Sequence, residues 1–500
     1  MTNTPKPSPT EIKTFGALKK AGFQPQSTKA ELRKNLIQAL QNDMNPFKGI
    51  HGYEETVIPE LQRAILAGHN INLLGLRGQA KTRIARLMTN LLDEYIPYIE
   101  GSEINDDPFH PLSFFGRQQI LNLGDETPIA WLHRDLRYVE KLATPDVTVA
   151  DLIGDIDPIK AAAQKLSYSD ERIIHFGLIP RSNRGIFVIN ELPDLQARIQ
   201  VALFNILQEG DIQIRGFQLR LPLDLQFVFT ANPEDYTNRG SIVTPLKDRI
   251  ESQIITHYPP TLDIGEKITR QEASISAELQ EKVHISPLLF SLIEQIAAEA
   301  RESEYVDGKS GVSARLTISA LETLYSTIER RMLINGESTG AARIADFLKI
   351  TPAITGKVEL VYEGEQEGAA AVAANLMDKA IRIQFEKYFP SPEKARKEEI
   401  NPYGKISEYF EKGNVVDVMD EFSEDDFTGE LLAISPLTDF IKKHLTHIPQ
   451  KEIPLFVEFL LHGLAAYSML SKKPLSGGAH FGDFLSGMLD MSPDFPEEDS

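Results

Sequence analysis

Ile71-Asn72-Leu73-Leu74-Gly75-Leu76-Arg77-Gly78-Gln79-Ala80-Lys81-Thr82 opens with four residues of β type and passes through a glycine-bearing turn into a helical run from Arg83 to Leu92. Strand, small-residue loop, Lys-Thr and helix is the order a phosphate cradle requires. Through Gly75, Arg77, Gly78, Gln79 and Ala80 the backbone N–H groups can approach a β-phosphate, and the helix N-terminus adds partial positive charge. Lys81 then reaches the β and γ oxygens, and the Thr82 hydroxyl can hold Mg²⁺. Ala80 stands where a second glycine is usual, and alanine is still small. Alone, the segment also reads as a chance turn ending in Lys-Thr, so its neighbours decide.

Between Ile50 and Tyr258 further β-type runs, Ile186 to Ile189 and Leu225 to Phe229, alternate with amphipathic segments. That alternation predicts an α/β fold, a parallel sheet with helices on both faces. The run Arg184 to Glu191 is a buried-type strand ending in Asn190 and Glu191, where a nucleotide hydrolase keeps a metal-orienting acid and a water-polarising carboxylate. Asn190 replaces the usual Asp; it can hydrogen-bond a metal-bound water but brings no charge, so weaker Mg²⁺ binding or slower turnover is expected. A helix carrying Ile199, Leu203, Ile206 and Leu207 follows, then a β-hairpin over Ile212 to Leu221 with Arg215-Gly216-Phe217 at its centre. The strand from Leu225 delivers Asn232 to its carboxyl end, where α/β sheets bind ligands. In isolation Glu191 reads as a solvated loop acid and Asn232 as a turn former before Pro233. Their shared order argues otherwise.

Five hundred residues suggest about three domains at roughly 150 residues each. Hydrophobic residues at 42% and charged residues at 25% are ordinary globular usage. A net charge of −20 opposes sequence-independent binding to nucleic acid or an anionic membrane over most of the surface. The absence of cysteine excludes disulfides, thiolate metal sites and a cysteine nucleophile, and suits a reducing, cytoplasmic setting. The start of the chain has no apolar run of signal-peptide length, and the most apolar stretch, Leu455 to Leu470, carries Glu458 and His462, so no membrane span is expected. Residues 1–30 read as a flexible tail leading into a polar helix, Lys29 to Gln41, and 31–262 as the nucleotide-binding domain closed by Pro259-Pro260. Residues 263–390 read as a helical lid, with Ser286 and Pro287 starting one helix and later helices at Leu316 to Leu333 and Ala369 to Tyr388. Residues 391–500 read as a helical extension with an acidic stretch, Asp417 to Glu430, and a disordered Gly/Ser/Asp-rich end.

Taken together, these motifs resemble the AAA+ ATPases, in the branch that holds the magnesium chelatase ATPase subunit (subunit I) and the MoxR-type ATPases. The loop Gly75 to Thr82 is similar to the MoxR type, which also tolerates Ala before Lys. Asp151-Leu152-Ile153-Gly154-Asp155-Ile156-Asp157-Pro158, Phe176-Gly177-Leu178-Ile179-Pro180 and Asn183-Arg184-Gly185 are similar to the chelatase subunit in order and spacing. The resemblance covers about Phe47 to Leu333. It implies a P-loop AAA+ core with a hairpin insertion before sensor 1, a helical lid, and ATP and Mg²⁺ as cofactors. It further implies Lys81 and Thr82 as Walker A, Asn190 and Glu191 as a modified Walker B, and Asn232 as sensor 1. Arg249, in Leu246-Lys247-Asp248-Arg249, becomes the arginine finger and Arg315, in Ser313-Ala314-Arg315, sensor 2; otherwise they are a surface Asp-Arg pair and a solvent-facing arginine. An insertion at Pro158 to Pro180 would face the ring's centre or a partner.

By the same resemblance the chain is an ATPase working as a homo-oligomeric ring, a hexamer, on a partner with a von Willebrand A-type domain, for remodelling or metal loading. The competing readings are an ATP-dependent assembly protein that hydrolyses slowly or not at all because of Asn190, and a sigma-54-type transcription activator or helicase. The acidic charge and the lack of a helix-turn-helix or basic stripe disfavour the latter, so no sequence-specific nucleic acid is expected.

Overall fold

The computed structural model describes residues 11–167, 170–209, 211–214, 220–233, 241–395 and 401–484. The chain forms two compact units, Met1–Tyr258 and Pro259–Ser500. In the first, five strands build one sheet: β1 (Ile71–Leu74), β2 (Tyr138–Leu142), β3 (Gly185–Asn190), β4 (Leu225–Ala231) and β5 (Ser252–Ile255). Their spatial order is β5-β1-β4-β3-β2, and every pair is parallel.

The near-continuous apolar runs follow from burial on both faces. Ile186 and Val188 join Ile71, Leu73, Val228 and Ile254 under the helices Thr28–Gln41 and Val57–Ala67. Phe187, Ile189, Phe227 and Phe229 point the other way, onto Ile199, Leu203 and Ile206 of the helix Ala197–Glu209. Parallel pairing sends the carboxyl ends of β1, β4 and β3 to one edge side by side, which is what gathers the motif residues.

Only residues 1–10 of the expected flexible tail lie outside the described residues; 11–30 is structured. Thr14 caps the helix Phe15–Lys20, whose Phe15 and Leu18 are buried, and the Trp131 indole donates to Ile12 O at 2.8 Å. The apolar anchors are sparse among charges, so composition conceals them. The polar helix begins at Thr28 and turns one acid inward. Glu31 takes two hydrogen bonds from Arg137, at 2.7 and 2.6 Å, and both residues are 2% exposed. Arg137, Arg184 and Asp224 directly precede β2, β3 and β4, so buried charges pin the amino edge. Thr28 donates from its N–H and its hydroxyl to Asp224, at 2.7 and 3.0 Å.

Between the helix Ala197–Glu209 and β4, Asp211–Gln213 pairs antiparallel with Arg220–Pro222. This is the expected hairpin; its centre, Arg215-Gly216-Phe217, lies outside the described residues. The insertion after Pro158 is a helix, Pro158–Gln164, capped by Asp157 and flanked by the antiparallel pair Gly154–Ile156 and Ile174–Phe176.

The second unit corrects the boundary expected at 390. Helices Pro287–Glu302, Arg315–Asn335, Ala369–Tyr388 and Ile453–Ala466 contribute to one core, so the 263–390 lid and the 391–500 extension are not separate bodies. A Cβ on Gly463 would stand 2.0 Å from the Phe385 ring, so the helix of residue 463 passes against that of residue 385 with no room for a side chain. The end expected to be disordered forms, as far as Phe481 and Asp483, an antiparallel sheet of Val416–Met419, Gly478–Asp483 and Leu470–Leu475. Ser286 is the N-cap residue expected, yet its hydroxyl donates to Glu452 at 2.8 Å instead of capping. Among the described residues no helix is long and apolar enough to cross a membrane.

Two buried acids in this unit make its stability pH-dependent. Burial pushes the carboxyls of Glu294 and Glu458 up to about 7, although Glu294 accepts from Thr269 at 2.5 Å and Glu458 from the N–H groups of Ile344 and Ala345 at 2.7 and 2.8 Å. The unfolded chain releases these protons near the ordinary 4.5. The folded state therefore binds more protons between about 4.5 and 7, and the contribution of both groups falls as pH rises through that window. Denaturant unfolding of the parent and of Glu294→Gln/Glu458→Gln should differ in pH slope there, the variant being flatter; equal slopes would refute the assignment.

Candidate active site

The loop leaves β1 at Gly75, whose N–H donates to Ala231 O at 3.1 Å. Gly78 has φ 77° and Ala80 φ 57°. A non-glycine residue in the left-handed region costs about 1–2 kcal/mol, so Ala80 holds a conformation that the rest of the loop must enforce. The helix Lys81–Leu87 starts immediately, and a 3₁₀ turn, Met88–Leu91, completes the predicted helical run. Lys81 Nζ donates to Gly75 O, to Leu76 O at 2.9 Å and to Asn232 Oδ1 at 2.8 Å. An ammonium set among oxygens, beside a helix N-terminus, matches what phosphate oxygens would offer it. Arg77 is part-exposed on the same loop.

Thr82 Oγ1 donates to Asn190 Oδ1 at 3.3 Å, and Thr230 Oγ1 donates to the same oxygen at 3.1 Å. Thr230 in turn accepts from the Glu191 N–H at 3.2 Å. Glu191 sits at φ 57°, a strained turn off β3 that re-aims the chain at the sheet's edge. Its residue is only partly buried, whereas Asn232 is 6% exposed. Lys81 is thus bonded to Asn232 and Thr82 to Asn190, at neighbouring strand ends, and Glu191 is tied to Thr230 through its backbone.

Among the described residues no group of three or more His, Asp or Glu side chains is placed to hold a metal by itself. A Mg²⁺ ion keeps several waters and takes one or two protein ligands plus substrate phosphates. Thr82 and Asn190 would hold it through hydroxyl and amide oxygens.

Among the described residues Arg249 shows no hydrogen bond to this cluster. Arg249 ends the helix Thr244–Asp248, pairs with Asp248 at 2.7 Å and is 41% exposed along its side chain. Arg315 is exposed at the start of its helix, in the second unit. Sequence reasoning missed three residues that shape the site: Thr230 at the end of β4, and Tyr53 and Thr256 against the loop. The Tyr53 hydroxyl donates to Gln79 O at 3.2 Å and His257 O at 2.7 Å, and Thr256 Oγ1 donates to Gln79 Oε1 at 2.7 Å. No local pattern marks them.

Sheet order, loop and convergent polar residues define a parallel α/β unit with a candidate phosphate-loop site at the carboxyl ends of its strands, followed in the chain by a helical unit. The chain is similar to the Magnesium-chelatase 38 kDa subunit of Cereibacter sphaeroides, 25% identical over 238 residues, 46% of this chain and 64% of that protein. It is likewise similar to the Magnesium-chelatase 38 kDa subunit of Rhodobacter capsulatus, 24% identical over 253 residues, 50% of this chain and 66% of that protein. The match therefore spans slightly less than two thirds of either relative. Over 137 residues it is 30% identical to the Hydrogenase transcriptional regulatory protein HoxA of Cupriavidus necator, covering 27% of this chain and 25% of that protein. No protein-family model matches the chain.

Asn190 supplies the site's first test. An aspartate there would accept the same two hydroxyl bonds and add a negative charge. Asn190→Asp should therefore raise the affinity for Mg²⁺ in the presence of nucleotide by about tenfold or more, measured by titrating Mg²⁺ at fixed ADP. An unchanged Mg²⁺ dependence would place residue 190 outside the metal's water shell.

Proposed function

We propose that this chain is an ATP-hydrolysing AAA+ motor of the magnesium chelatase subunit I and MoxR type. The observation that carries the reading is that two hydrogen-bonded pairs, Lys81 with Asn232 and Thr82 with Asn190, meet at the carboxyl ends of β1, β3 and β4, with Glu191 beside them. Loop N–H groups and Lys81 bind the β- and γ-phosphates; Thr82 and Asn190 orient Mg²⁺, which when bound neutralises phosphate charge. Glu191 polarises the attacking water and Asn232 fixes its line to the γ-phosphate. Arg315 acts as sensor 2. Arg249 enters the site of a neighbouring copy, where a guanidinium stabilises transition-state charge and couples turnover to assembly. Its 41% exposure supports that role.

The assembly proposed is a homo-oligomeric ring, a hexamer, in the cytoplasm. It acts on a partner with a von Willebrand A-type domain, remodelling it or loading metal. The similarity to magnesium-chelatase subunits supports the metal-loading version. Asn190 favours a second reading, a slow or non-hydrolysing ATP-dependent assembly protein, because the site keeps the geometry of a metal-orienting residue without its charge.

Two experiments test the proposal. Lys81→Ala should abolish nucleotide binding while leaving the fold intact, since the ammonium donates to loop carbonyls and to the Asn232 amide at the rim of the sheet and not within its core; binding as tight as the parent's would remove the phosphate-loop assignment. Glu191→Gln and Arg249→Ala should each lose hydrolysis alone. Mixed rings restore some interfaces in which an intact Glu191 meets an intact Arg249, and arginine fingers are worth roughly 10³ to 10⁵ in rate. Activity above the sum of the two is the expected result. Verified mixed rings with no recovery would mean that Arg249 acts within its own subunit or serves structure alone.

A further inference from the structure

Where β1 gives way to the loop, a Cβ on Gly75 would stand 1.9 Å from Thr256 Oγ1 and 2.3 Å from Gln79 Oε1. The missing side chain leaves room for one hydrogen bond, from the Thr256 hydroxyl to Gln79 Oε1 at 2.7 Å. Both residues are buried, at 4% and 6% exposure. Thr256 is itself fixed, because its N–H continues the β1–β5 ladder by donating to Leu74 O at 2.8 Å. From the other side the buried Tyr53 hydroxyl shares its proton between Gln79 O and His257 O. Burial pushes that hydroxyl up to about 12, so it stays a donor. Residue 79 is therefore gripped at both of its carbonyl groups.

Its neighbours give the grip a purpose. Gly78 and Ala80, on either side of Gln79, both have φ in the left-handed region. Glycine adopts it freely and alanine does not. Released, the Ala80 backbone would relax toward the right-handed or extended region, and the N–H groups that must converge on a phosphate would turn apart.

We infer that Thr256, assisted by Tyr53, is a positioning residue for the phosphate loop: holding Gln79 keeps Ala80 left-handed, so the cradle is formed before nucleotide arrives. Alanine at position 80 and the clamp on position 79 are then two halves of one device, and a loop with glycine at 80 would not need it. The inference rests on the phosphate-loop reading of the proposed function.

The test is a double-mutant cycle on the full chain, read as the dissociation constant for ADP with Mg²⁺. Thr256→Val, which keeps shape and removes the hydroxyl, should weaken ADP binding about tenfold, and Thr256→Ser should bind like the parent. Ala80→Gly should recover most of the loss in the Thr256→Val background, each double variant being compared with Ala80→Gly alone. A merely structural role would leave the two substitutions additive, and additivity overturns the inference; so does parent-like binding by Thr256→Val. If Thr256→Val fails to fold, judged by circular dichroism, the same cycle with Gln79→Met removes the acceptor instead of the donor and decides by the same criterion. Lys81→Ala runs in parallel. If it binds ADP like the parent, the phosphate-loop reading fails and takes the inference with it; if it loses binding while the cycle is additive, the clamp alone is refuted.

Discussion

The Lys81 ammonium lies between carbonyls at the end of β1 and the Asn232 amide just past β4, and the geometry of the first unit serves that contact. It requires β1 and β4 to be adjacent, parallel and in the register that sets Leu74 opposite Ala231. The same logic extends one strand further, since Thr230 on β4 reaches Asn190 on β3, with Phe229 opposite Ile189. A slip of one residue would turn Thr230 to the other face and exchange the two apolar layers at once. Core and site therefore enforce the same register.

The two edges of the sheet handle polarity differently. At the amino edge the buried charges answer one another: Glu31 is matched by both ends of the Arg137 guanidinium, and Asp224 takes two donors from Thr28. Burial alone would lower Arg184 and raise Asp224 from their ordinary pKa values, and each supplies opposite charge to the other. At the carboxyl edge the loop runs directly into the helix Lys81–Leu87, and an anion is the natural complement of a helix start. The first arrangement closes on itself; the second stays open to a ligand.

What was legible in the sequence was whatever is local. Ile71 to Leu74 and Ala369 to Tyr388 have the bounds their patterns imply, and the polar residues ending β1, β3 and β4 meet as their order suggests. What was hidden depends on distant packing. Thr256 follows an ordinary strand, and only the folded sheet sets it beside Gly75. Phe15, Leu18 and Phe23 are too few among charges to announce a helix, yet Phe15 and Leu18 pack with Ile129, a strand residue far along the chain. The region after Pro390 carries a break in composition but none in the core, because Phe389, Tyr403, Phe440 and Phe459 come together across it. Prolines interrupt local structure; they do not interrupt packing between helices that return to the same face.

Asn190 separates two jobs that an aspartate performs together. Its amide oxygen gathers the Thr82 and Thr230 hydroxyls, so the orientation of the metal-side donors is retained. The charge is absent, and the carboxylate that directly follows is Glu191, reached through a strained turn. Mg²⁺ binds weakly to sites with few anionic oxygens, and the phosphates of a nucleotide are then its main source of negative charge. On the proposed reading such a site would make metal and nucleotide mutually dependent, because the phosphates would supply the charge that residue 190 does not. The clamp on Gln79 and the neutral residue at 190 would then place the burden of assembly on the phosphate loop, more than on a preformed metal site.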